Sequence, residues 1–166
     1  MASELARKAA ELAARDLNVR EQPDGSNDSP RIRQYLFNVG IREPASYCAA
    51  AVSTWILEAG NALGVFPRIK TTGGAQRLYF LNSKLAIFAR DLTPDDVPCV
   101  YVENHGGGLG HAGIVVGFDP ETGRFQDISG NTTDKATREG GTGQGVYALD
   151  KRSIHDARLL GFVRIE

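Results

Sequence analysis

"GHAGIVVGFDPETGRFQDISGN", residues 110–131, decides the fold class. Ala112 to Asp119 form a short, nearly continuous apolar run, and Phe125 to Asn131 a second strand-like run. "PETGR" (120–124) supplies the Pro and Gly of a tight turn between them. Two strands joined by so short a connection pair antiparallel. Working outward, "VPCVYVEN" (97–104) alternates and is rich in β-formers, while "GVYALD" (145–150) and "LLGFVRIE" (159–166) read as a fourth and fifth strand. The strands follow one another with no helical pattern between them, which is the signature of an antiparallel meander.

Ahead of the strands the periodicity is helical. Leu5, Ala9, Leu12, Ala13 and Leu17 recur at helical spacing behind Ser3, a suitable N-cap, giving an N-terminal helix within residues 1–18. "REQPDGSNDSP" (20–30) is a loop by composition. "RIRQYLFNVG" (31–40) reads as a short helix, with Ser29 and Pro30 starting it and Gly40 ending it. In "PASYCAAAVSTWILEAG" (44–60), Pro44 and Ser46 are start signals and Gly60 the stop. That helix is apolar on most sides and should be buried. "GGAQRLYFLN" (73–82) begins another helix, which "LAIFAR" (85–90) either continues or replaces with a short strand. Helices first and a meander after make an α+β domain, and 166 residues suit one domain spanning 1–166.

The composition sets limits on function. A net charge of −1 gives no global attraction to nucleic acid or to an anionic membrane. No apolar run is long enough to span a bilayer. The amphipathic, charged N-terminus lacks the continuous apolar core of a secretory signal, so the chain is expected to be made in the cytoplasm. Two cysteines outside any CxxC, and three histidines without characteristic spacing, suggest neither a disulfide framework nor a metal site. No cofactor is expected.

One constellation carries chemistry. Cys48 sits in the first turn of a helix, where unpaired N–H groups favour a thiolate. His111 opens a strand far downstream, and Asn131 ends the next one, so the hairpin can bring their side chains together. A thiol, an imidazole to take its proton and a polar group to orient the imidazole are the parts that nucleophilic catalysis needs. Asp127, on the same strand face as Ser129 and Asn131 by period two, is a reserve orienter. Cys99, mid-strand, and Trp55, mid-helix, read as core. His155, in "KRSIHDAR", reads as surface. "HGGGLG" precedes a strand instead of opening a helix, which argues against a phosphate loop.

"GSNDSPRI" (25–32), "YCAAAVSTWILEAG" (47–60), "GHAGIVVGFD" (110–119) and "SGNTT" (129–133) resemble, in this order and spacing, the CHAP family of cysteine- and histidine-dependent amidohydrolases and peptidases. "REGGTGQGVYALDKRS" (138–153) and "LLGFVRI" (159–165) are similar to that group's closing strands. The resemblance implies a papain-like fold with helices packed on a five- or six-stranded antiparallel sheet, in a single hydrolase domain without a separate wall-binding one. It implies hydrolysis of an amide bond in peptidoglycan, by an amidase or an endopeptidase. Cys48 would be the nucleophile, His111 the general base and acid, and Asn131 the orienter. Asn27, Tyr47 and His105 would face substrate. Ser129 stands where some relatives carry Glu, and Tyr47 where Trp is usual. The expected protein is a monomer whose partners are the wall and, for a phage lysin or a delivered toxin, an immunity or delivery protein. A papain-like peptidase, transglutaminase or deamidase acting on a protein remains an alternative, as does a non-catalytic wall-binding module.

Overall fold

The computed structural model describes residues 1–133 and 144–166. Four helices precede a six-stranded antiparallel sheet in an α+β arrangement. Helix α1 spans Glu4–Arg15, and its N-cap Ser3 accepts a hydrogen bond from the Ala6 amide at 3.0 Å. Helix α2 spans Pro30–Asn38 behind Ser29, as the Ser-Pro pair indicated. Helix α3 spans Cys48–Leu63 and helix α4 Ala75–Leu81.

The strands are β1 (Ala86–Ile87), β2 (Cys99–Gly106), β3 (Leu109–Asp119), β4 (Arg124–Thr132), β5 (Gly145–Ser153) and β6 (Leu159–Arg164). Their order is β1-β6-β2-β3-β4-β5. The meander therefore runs β2 to β5, and β6 returns to the far side of β2. "LAIFAR" is the short edge strand β1 flanked by 3-10 turns, not a continuation of α4. The segment "REGGTG" (138–143) lies outside the described residues.

Each face of the sheet has its own core. On the helix side, Val100, Val102, Ala112, Ile114 and Ile128 pack against Ala49, Val52, Trp55 and Ile56 of α3 and against Ala9 and Ala13 of α1. On the other side, Cys99, Tyr101, Val115, Phe125 and Phe162 form a smaller cluster with Ile87 and Leu92. Cys99 and Trp55 are fully buried, and His155 is exposed.

Helix α3 departs from the expected boundaries at both ends. It begins at Cys48, after Pro44 and Ser46, with Tyr47 as an N-cap that offers no side-chain hydrogen bond. It also runs through Gly60 and stops at Gly64, which takes the left-handed conformation at φ 67°. Gly60 is a packing glycine: a Cβ there would lie 2.8 Å from the Val65 carbonyl oxygen and 3.0 Å from the Pro67 ring.

Asp16, the C-cap of α1, ties the three helices together. One carboxylate oxygen, Oδ2, accepts from Tyr35 Oη at 2.6 Å, Trp55 Nε1 at 2.8 Å and Arg31 Nη2 at 2.8 Å. Arg31 also grips Glu58 of α3 through two bonds of 2.8 Å. Desolvation and the neighbouring carboxylate push the Tyr35 phenol well above its usual range, so it stays a donor. Removing this acceptor charge strands a buried indole and phenol, so Asp16→Ala should lower the unfolding free energy by about 2 kcal/mol or more in urea titrations.

Candidate active site

Cys48 is buried, at 5% exposure, at the start of α3. An uncapped helix start leaves its first N–H groups without partners. The amides of Cys48 and Ala49, together with that of Ala112 on β3, favour the thiolate form of Sγ. Ala112 is available because the β3–β4 pairing closes at Ile114 and Ile128, short of Ala112. The thiol thus abuts the open end of that ladder. Arg152 adds a favourable positive charge, yet burial outweighs all of these and pushes the thiol above its ordinary range.

His111 is 8% exposed and pairs with Glu103 of β2 across the ladder. It shares a strand face with Gly113 and Val115, the side opposite Ala112 and Ile114. Its ring lies 6.1 Å from Tyr101 and stacks with His105 at 6.4 Å and 17°. Its Nε2 is buried without a hydrogen-bond partner. Burial, reinforced by the charges of Arg152 and His105, holds the imidazole well below its usual range and hence neutral at pH 7.

The β3–β4 register, continued past its last pair, sets Asn131 opposite His111. Asn131 breaks the strand geometry, with φ at 56°, where the β4–β5 ladder is also irregular. Such a conformation is uncommon outside glycine and costs energy that the surroundings must supply. Its Oδ1 is buried and unpartnered. Asn27 is the other non-glycine residue with positive φ among those described, at 53°, and its Oδ1 is likewise buried and unpartnered. Glu21, 3% exposed, anchors this side: it accepts from the Asn27 amide at 3.1 Å and from Tyr47 Oη at 3.1 Å.

Some expected roles change in the structure. Tyr47, expected to face substrate, is fully buried, stacked on Tyr35 and bonded to Glu21, so it shapes the mouth of α3 from within. Asp127, the reserve orienter, is buried among other partners: Tyr101 Oη donates to Oδ2 at 2.9 Å and Arg152 Nε to Oδ1 at 3.0 Å. His105 is held by Glu103, Nε2 to Oε2 at 3.0 Å. No hydrogen bond among the described residues joins Cys48 to His111 or His111 to Asn131.

The sequence reading missed Glu21, Glu103 and Arg152, all buried or nearly so. Glu103 had a signal: a carboxylate at the end of an otherwise apolar alternating strand demands a buried partner. Arg152, on β5, bonds Glu103 at 2.5 Å and lies 4.6 Å above the Tyr101 ring. No feature of "DKRS" marks that reach.

Comparison with family models, curated proteins and solved structures gave no match. No helix among the described residues is long and apolar enough to cross a membrane. No cluster of metal-ligating side chains is present among them.

Two measurements follow from the buried pair. Iodoacetamide should label Cys48 faster than the fully enclosed Cys99, with a rate that rises at a pH above that of an exposed thiol and without the low-pH plateau of a thiolate–imidazolium pair. The His111 imidazole binds its proton less readily folded than unfolded, so its stabilising contribution is complete above the unfolded pKa near 6.5 and is lost as pH falls towards the folded value. Urea unfolding between pH 7 and 5 should show that decline, and His111→Gln should remove part of it.

Proposed function

We propose that this chain is a papain-like thiol hydrolase of CHAP type that cleaves an amide bond in peptidoglycan. The observation that carries the reading is the buried thiol at an uncapped helix start, with three amides, that of Ala112 among them, favouring its ionised form; His111, the residue before Ala112, is buried with its Nε2 unpartnered.

The starting state is a thiol and an imidazole, both uncharged. His111 Nε2 takes the Sγ proton as the sulfur attacks the scissile carbonyl carbon. The carbonyl π electrons move to oxygen, and amides at the helix start stabilise the oxyanion. The imidazolium returns the proton to the leaving nitrogen as the C–N bond breaks, leaving a thioester. Water, deprotonated by His111, then releases the acid and the thiol. Asn131, opposite His111 in the continued register, is the proposed orienter through its free Oδ1.

A cleft of about 490 Å³ lies between α2 and residues 41–44. Leu36, Phe37 and Ile41 give it an apolar wall, and Arg42 and Glu43, with Arg33 paired to Asp28 at 2.8 Å, a rim of mixed charge. Asp28, next to Asn27, and Pro44, just ahead of Tyr47, also line it. An extended peptide with both apolar and charged groups, such as a stem peptide, suits those walls. Such a target lies in the cell wall, which a protein made in the cytoplasm reaches after release or delivery.

Digestion of defined muropeptides, read by mass, tests the proposal. The wild type should release products of a single amide cleavage, and Cys48→Ala and His111→Ala should each reduce the rate at least about a thousandfold. Full activity in Cys48→Ala would refute the mechanism. Cleavage or deamidation of proteins alone would move the enzyme to another substrate class, and sacculus binding without soluble fragments would make it a binding module.

A further inference from the structure

We propose that Arg152 is a positioning residue of the candidate site, bracing the sheet face behind His111 and supplying the fixed positive charge beside which that imidazole works as a base. The inference rests on the reading of Cys48 and His111 as nucleophile and base.

The geometry is specific. Arg152 extends from β5 across the sheet, bonding Asp127 of β4 at 3.0 Å and Glu103 of β2 at 2.5 Å. Its guanidinium lies 4.6 Å over the Tyr101 ring, whose hydroxyl binds the same Asp127. Glu103 uses its other oxygen for His105, whose ring stacks on His111. A fork with several fixed donors is needed to hold carboxylates on two separate strands.

The span is made possible at β3, the strand between. Gly113 has no side chain, and a Cβ there would lie 2.7 Å from both Tyr101 Cε1 and Ser129 Cβ. Tyr101 and Ser129 therefore close over β3 just beyond His111, and the guanidinium completes that layer.

The charged and titratable groups facing this arginine are Glu103, Tyr101 and His105 from β2, His111 from β3, Asp127 from β4 and Cys48 from α3. Asp156, after β5, also feels its charge, and Arg158 binds that carboxylate at 2.9 Å. The guanidinium disfavours imidazolium at His111 and favours thiolate at Cys48. The second makes the thiol more acidic; the first keeps the imidazole unprotonated while making it a weaker base, so the arginine lowers both groups together and shifts the pH range in which they work.

Arg152→Met and Arg152→Lys separate the charge from the packing. The readouts are the imidazole C–H titration of His111 by NMR, assigned with His111→Gln, and the pH dependence of Cys48 alkylation. Neither needs substrate, so they are independent of whether the wall is hydrolysed. Loss of the charge in Arg152→Met should raise both midpoints by about half a pH unit or more. Arg152→Lys should keep both near the wild-type values while lowering the melting temperature through loss of the fork. A folded Arg152→Met with unchanged midpoints overturns the proposal, whatever its melting temperature. If Arg152→Met fails to fold, Arg152→Gln takes its place, and unchanged midpoints in that folded variant overturn the proposal.

Discussion

An uncapped helix start, held against the end of a β-ladder, is the constraint around which this structure is arranged. Helix α3 is buried along most of its length, so its first N–H groups cannot all turn to water. Tyr47 offers them no side-chain acceptor. Cys48 Sγ lies among these donors, and the β3–β4 pairing stops short enough to leave Ala112 facing the same sulfur. The unpaired donors of one element and the end of another thus define a place where negative charge is favoured.

Burial acts against that preference, and the two sides of the balance come from different parts of the fold. The helix side of the sheet provides the apolar surroundings that disfavour a thiolate at Cys48, while an imidazolium at His111 is disfavoured by that residue's own burial on the other face. The opposite side carries the Glu103–Arg152–Asp127 cluster, whose central arginine side chain is largely buried. A buried ion network of this kind contributes little net stability compared with apolar packing, because desolvation offsets most of its attraction. Its value lies in fixing which strands approach which, and at what charge.

The sequence made the architecture legible where one force dominated locally. Ser3, Ser29 and Pro30 set helix starts because capping acts within a turn. "GFDPETGRF" specified its hairpin because turn chemistry is equally local. Gly60 misled for a related reason: a glycine can end a helix or admit a neighbour, and only the position of Val65 and Pro67 tells which. Cys48, His111 and Asn131 could be singled out from residue type and order, and the continued β3–β4 register sets the last two opposite each other. The roles of Glu21, Glu103 and Arg152 were not, since each depends on partners on other strands or loops. Tyr47 looked like a site residue because of where it stands in the chain, but its burial is a tertiary fact.

Residues 19–21 lie along the start of β5, with the Val146 amide donating to Val19 at 3.1 Å and the Glu21 amide to Gln144 at 2.9 Å. Arg20 reinforces the seam from above, 4.0 Å from the Tyr147 ring. The loop that carries Asn27 is thereby fastened to the strand next to the one that carries Asn131. This seam joins segments separated by most of the chain, and closing it carries the entropy of a large loop. During synthesis the helices can pack and the first hairpin can pair before β5 emerges. The half of the site built on Glu21 and Asn27 must wait for it. Assembled in this order, the candidate site is completed as one of the last events of folding.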